Sequence, residues 1–96
     1  MGEVALRPRA RADLDNIWEY TLRTWGQKQA ERYLRALNDT FHALAEQPKL
    51  GRSYDEVHEG LRVYPSGKHL IFYFETKTGI DVVRVLHERM DVRSHL

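Results

Sequence analysis

Between Pro8 and Pro48 apolar residues recur at spacings of three and four, and a single glycine, Gly26, interrupts them. No other stretch of the 96-residue chain constrains the fold as strongly. A period of 3.6 puts such residues on one helix face. The first run, residues 9–25, aligns Leu14, Ile17, Trp18, Thr21, Leu22 and Trp25. Pro8 suits its opening turn, where the amide that proline lacks would have no partner. Arg7 stands where a small capping residue is usual. Asp13 and Asp15 fall in the early turns, where the helix dipole favours anions. The second run, residues 27–47, aligns Ala30, Tyr33, Leu34, Leu37, Phe41, Leu44 and Ala45, and Pro48 stops it. Gly26 predicts a left-handed cap and a one-residue link, so the two helices form an antiparallel hairpin. Trp18, Trp25, Tyr33 and Phe41 are expected in the core, with Trp25 partly exposed at the hairpin tip.

After Pro48 the period changes. Pro48, Gly51 and Gly60 mark a connecting loop. Residues 61–64 read as a strand, "PSG" at 65–67 as a hairpin turn, and residues 68–75 as a second strand. "TKTG" turns the chain again into a third strand at 80–87. A short strand candidate at 4–7 precedes the helices. The order β-α-α-β-β-β predicts one α+β domain over 1–96, its helical hairpin packed on one face of a small antiparallel sheet. Period two groups Val83, Val85 and His87 on one face and Val82, Arg84 and Leu86 on the other. In the middle strand Leu70, Phe72 and Phe74 oppose His69, Ile71 and Tyr73. Neither face is purely polar, so the side without helices is expected to await a partner.

Composition narrows the function classes. Hydrophobic residues make up 42% of the chain, enough for a packed core. Cysteine is absent, which removes disulfides, thiol catalysis and thiolate metal sites. The five histidines, at 42, 58, 69, 87 and 95, lack close metal-ligand spacing, so neither a metal nor another cofactor is expected. Phosphate-loop and serine-nucleophile motifs are missing. No apolar run approaches the length of a membrane span and the N-terminal stretch is charged, so a cytoplasmic protein without membrane contact is expected. The net charge of +1 does not describe a general nucleic-acid binder, and no sequence-specific nucleic-acid contact is expected. Eleven of the fifteen basic residues are Arg, which suits bidentate carboxylate or phosphate contacts.

The end of the chain, "VVRVLHERMDVRSHL", gathers His87, Glu88 and three arginines beside a strand terminus. Metal-independent RNA cleavage needs a base, an acid and cations around the phosphate. Arg62, His69, Arg84, His87, Glu88 and Arg89 are the right types for such a set. Structural ion pairs, with Asp81 near Arg84 and Glu59 near Arg62, would explain the same charges without chemistry.

Several stretches together are more specific. "ADLDNIW", "LAEQPKLGR", "GLR", "SGKHLIFY" and "RVLHERMD" resemble the ParE toxins of the RelE/ParE toxin–antitoxin superfamily, and the likeness runs through nearly the whole chain. The resemblance implies a toxin silenced by a ParD-like antitoxin and acting on DNA gyrase by protein binding, without catalysis. The ribonuclease branch of the superfamily, which cuts messenger RNA on the ribosome, is the alternative. On that alternative His87, Arg84, Arg62 and Glu88 are the candidate catalytic residues. The tail after His87 offers no tyrosine and the lysines are dispersed, which favours the ParE branch. Candidate target- or antitoxin-binding residues are Leu22 and Trp25 on the hairpin, Arg62, His69 and Arg84 on the sheet, and His87, Arg89 and Met90 at the strand exit. An antitoxin segment that folds on binding, adding a strand to an open sheet edge, is the expected docking mode.

Overall fold

The structure, a computed structural model, describes residues 2–96. Strand β1 (Glu3–Leu6) passes through Arg7 into helix α1 (Pro8–Trp25), and helix α2 (Gln27–Glu46) follows after one residue. The chain continues as a 3-10 turn (Pro48–Leu50), β2 (Arg52–Ser53), β3 (Leu61–Ser66), β4 (His69–Glu75), β5 (Gly79–His87) and a terminal helical turn, α3 (Val92–His95). Gly26 adopts φ 89° and ψ 173°, a region essentially restricted to glycine. It has the positive φ that the sequence demands, but its ψ is extended and not that of a left-handed cap. The Gly26 N–H donates to Leu22 O at 3.0 Å and its carbonyl accepts from the Ala30 N–H at 3.1 Å. One residue thereby ends one helix and starts the next.

The five-stranded sheet has the order β1-β5-β4-β3-β2. Strands β3, β4 and β5 form the expected antiparallel meander. The sheet as a whole is mixed, because β1 pairs parallel with β5, from Glu3 opposite Gly79 to Leu6 opposite Val82. Parallel neighbours require a long crossover, and the helical hairpin starts that return path. The stretch from Pro48 is also more ordered than a loop. The Tyr73 hydroxyl donates to Pro48 O at 2.7 Å and accepts from the Gly51 N–H at 2.8 Å, and Arg52 and Ser53 pair with Val63 and Arg62. Local sequence offers no sign of a turn held by a tyrosine from a distant strand.

The hairpin turn begins two residues later than "PSG" suggests. Ser66 still pairs with His69, leaving Gly67 and Lys68 as the two turn residues. Gly67 has φ 58°, the positive value that a two-residue hairpin turn with glycine first requires.

Two apolar clusters lie on opposite faces of the sheet. Ile71, Tyr73, Val82 and Val85 pack beneath the hairpin against Ile17, Leu37, Phe41 and Leu44. Of the four aromatic residues expected in the core, only Phe41 is fully buried. Trp18 and Tyr33 are half-buried and Trp25 is exposed. On the other face Leu61, Val63, Phe72 and Leu86 are covered by Tyr54 and Val57 from the β2–β3 loop and by Val92 of α3. That face is not the bare surface inferred from period two; the chain's own loop and tail occupy much of it.

A bulge explains a second departure. The β4–β5 register passes from Tyr73 opposite Val82 to Phe72 opposite Arg84, leaving Val83 as an extra residue. Val82 and Val85 therefore share the helix side, and Val83 joins Leu86 on the other side. The grouping of Val83 with Val85 fails because strict alternation breaks at an inserted residue.

Candidate functional site

At the end of the sheet where β5 exits, a groove of about 670 Å³ separates the helical hairpin from the β3–β4 turn. Helix α1 supplies Tyr20, Thr21 and Trp25, α2 supplies Gln29 and Tyr33, the turn supplies Lys68, and the strand ends supply His69, His87, Glu88 and Arg89. His69 and His87 are direct cross-strand partners, with ring centroids 5.4 Å apart and planes at 84°. Tyr33 anchors this end of the sheet. Its hydroxyl lies 2.6 Å from His69 Nδ1 and accepts from the Lys68 N–H at 2.9 Å. Burial and the neighbouring His87 lower the His69 pKa from its ordinary value, so the ring is neutral and its Nδ1 accepts the Tyr33 proton. Burial raises the Tyr33 pKa, which keeps that proton in place. The Glu88 N–H donates to Lys68 O at 2.9 Å and the Arg89 N–H to His87 Nδ1 at 3.1 Å, fixing the strand exit.

Arg84 lies outside this groove. Its guanidinium reaches Asp13 on α1, with Nε to Oδ2 and Nη2 to Oδ1 both at 2.8 Å. Asp13 Oδ2 also accepts from the Val85 N–H at 2.9 Å, and Arg84 Nη1 donates to His95 O at 2.6 Å. Hydrogen bonding to Asp13 raises the Arg84 pKa further, so its charge is permanent and internally used. Asp13 therefore serves a β5 cation and amide that lie beyond the end of β1, and a favourable dipole is not its main role. Asp81, expected near Arg84, instead pairs with Arg7 at 2.9 Å. Arg62 turns toward the 3-10 turn and donates from Nη1 to Gly51 O at 2.6 Å.

The candidate residues consequently separate. His69, His87, Arg89 and Trp25 share the groove, Glu88 joins them, and Met90 lines an adjoining cleft with Asp13 and both histidines. Leu22 is 39% and Trp25 68% exposed on α1. Arg62 and Arg84 are not brought to His87, and Arg62, His69 and Arg84 do not form one open face. Sequence patterning gives no sign of a functional role for Tyr20, Gln29 or Lys68, and it places Tyr33 in the core. Tyr20 is 61% exposed and follows Ile17 by one helical turn, a spacing that does point to this side of α1. Among the described residues no group of three or more His, Cys, Asp or Glu side chains could hold a metal, and no helix is long and apolar enough to cross a membrane.

Residues 4–92 match the family described as the ParE toxin of the type II toxin–antitoxin system parDE. The chain belongs to the ParE toxin family. Toxin ParE1 of Mycobacterium tuberculosis is 48% identical over 92 residues, covering 95% of this chain and 94% of that protein. Toxin ParE1 of Caulobacter vibrioides is 41% identical over 96 residues, covering 100% and 99% respectively. In the solved chromosomal ParDE system from P. aeruginosa, one chain superposes with a TM-score of 0.76 at 17% identity. That superposition covers 91% of this chain and 96% of that one, and it shows the α+β fold. Membership of a two-component toxin–antitoxin family means that the chain works opposite an antitoxin. The shared fold agrees with the α+β arrangement of helical hairpin and sheet expected from the sequence.

Proposed function

We propose that this toxin acts by binding DNA gyrase and arresting replication in the cytoplasm, and that a ParD-like antitoxin neutralises it. The observation that carries the reading, beyond family membership, is the fate of the arginines. Arg84 is engaged by Asp13 and His95 O, and Arg62 by Gly51 O. Cations tied into the fold are poorly placed to stabilise a phosphate in a transition state. The exposed Tyr20 and Trp25 of α1 line the groove together, an apolar surface of the kind that anchors a protein partner.

Purified toxin, free of antitoxin, should block gyrase supercoiling or stabilise cleaved gyrase–DNA complexes, and added antitoxin should reverse the effect. Unimpaired supercoiling at micromolar toxin would count against gyrase as the target. One feature favours ribosome-dependent RNA cleavage as the second reading: His69, His87 and Glu88 line a single groove with Lys68 and Arg89. Codon-positioned cuts in ribosome-bound message, lost in His87→Ala, would establish that reading. Continued translation during replication arrest would reject it.

A further inference from the structure

His69 and His87 meet edge to face, and both have Nδ1 occupied by the protein. The Tyr33 oxygen already accepts from the Lys68 N–H, so its single hydrogen goes either to His69 Nδ1 at 2.6 Å or to Ser66 O at 3.4 Å. The shorter contact takes it. His87 Nδ1 accepts from the Arg89 N–H. Each neutral ring therefore carries its own proton on Nε2. No hydrogen-bond partner for either Nε2 occurs among the described residues. Both histidines line a groove that Lys68, Arg89 and Gln29 also line, and each is left with an N–H donor that the described residues do not use.

We infer that His69 and His87 form an oxyanion cradle that receives one carboxylate side chain of a protein partner, His69 taking up a proton as it does so. The cradle stands on its own geometry; only the choice of a protein as occupant rests on the function proposed above. The overall charge of +1 and the presence of Glu88 in the same groove suit a single anion better than a polyphosphate backbone. The exposed faces of Trp25 and Tyr20 can bury apolar side chains flanking that carboxylate.

Proton uptake follows from the surroundings. The groups facing the two rings are Asp13 and Tyr20 of α1, Tyr33 of α2, Lys68 of the turn, and Glu88 and Arg89 beyond β5. Asp13 is neutralised by Arg84, and Glu88 opposes an incoming anion, whereas Lys68 and Arg89 assist it. Burial and the nearby His87 resist protonation of His69 in the empty groove. A carboxylate bound at the Nε2 edges of the rings favours the charged form of His69, so its affinity rises as pH falls.

Histidine-ring NMR of the full chain tests the cradle, with acetate, inorganic phosphate and oligouridylate as separate probes. Acetate should shift the His69 and His87 ring resonances saturably at pH 6, leave those of His42 and His58 in place, and bind about threefold more weakly at pH 7.5. In His87→Ala the His69 response should disappear while the His42 resonance confirms an intact fold. Should that variant not fold, Lys68→Gln at the exposed rim should weaken acetate binding about twofold. A non-saturating response, an equal response at His42, or no pH dependence would overturn the cradle. Saturation by oligouridylate where acetate and phosphate both fail would assign the groove to nucleic acid and overturn the carboxylate. Gyrase inhibition can fail while acetate still binds, so the two ideas stand or fall separately.

Discussion

Asp13 and Arg7 carry opposite lessons about charge. The Asp13–Arg84 pair leaves both side chains 11% exposed and satisfies three hydrogen bonds to one carboxylate. The Arg7–Asp81 pair is nearly as short but leaves Arg7 48% exposed. Removing one partner of a buried pair strands the other charge, whereas a surface pair is screened by water. Urea denaturation should therefore show Asp13→Ala losing about 3 kcal/mol and Arg7→Ala less than about 1 kcal/mol. Equal losses would mean that the buried pair is also well solvated. His69 supplies a pH dependence at the same scale. Its folded pKa lies below the unfolded value, so the unfolded state binds the proton first. Stability is unaffected above the unfolded pKa of about 6.5 and falls as pH drops through and below it. Urea midpoints between pH 8 and pH 5 should decline less in His69→Gln than in the parent chain. A parallel decline would assign the acid sensitivity to other groups.

Element by element, what could be read in advance is what short-range periodicity encodes. The hairpin follows from 3.6-residue spacing and Gly26, and both helices fall within a residue of their expected bounds. What escaped depends on partners far away in the chain. The pairing of β1 with β5, the 3-10 turn held by Tyr73 and the role of Asp13 all join residues more than twenty positions apart. The Val83 bulge escaped because nothing in "DVVRV" distinguishes an inserted valine from a paired one. The candidate site was half legible: its histidines and Trp25 were visible as types, but the diversion of Arg84 and Arg62 into internal bonds was not. Gly26 isolates a purely conformational cost. A Cβ there meets nothing within 4 Å, so Gly26→Ala should destabilise by about 1–3 kcal/mol through backbone strain alone. Thermal or urea unfolding would measure it, and a neutral effect would show that the link relaxes to an ordinary φ.

For the whole molecule, the tail joins the two faces of the sheet. Val92 packs on the cluster of Leu61, Val63, Phe72 and Leu86, while His95 O accepts from Arg84, which grips Asp13 on α1. Deleting residues 92–96 removes a partly buried valine and one acceptor, a loss of about 1–2 kcal/mol. Toxicity on expression without antitoxin should fall by more than that loss of folded protein explains, as judged by soluble yield and urea midpoint. Equal falls would make the tail a structural cover alone.

The parallel contact between β1 and β5 also sets an order of synthesis. Within this sheet β1 is synthesised first, but the neighbour it pairs with, β5, is synthesised after every other strand. Translation at roughly 5–20 residues per second puts about 4–15 s between them. During that interval the helical hairpin can form locally, while Asp13 has no arginine and the underside of the hairpin has no complete sheet. A message broken before the codons for β5 would therefore yield an open chain for proteases to clear.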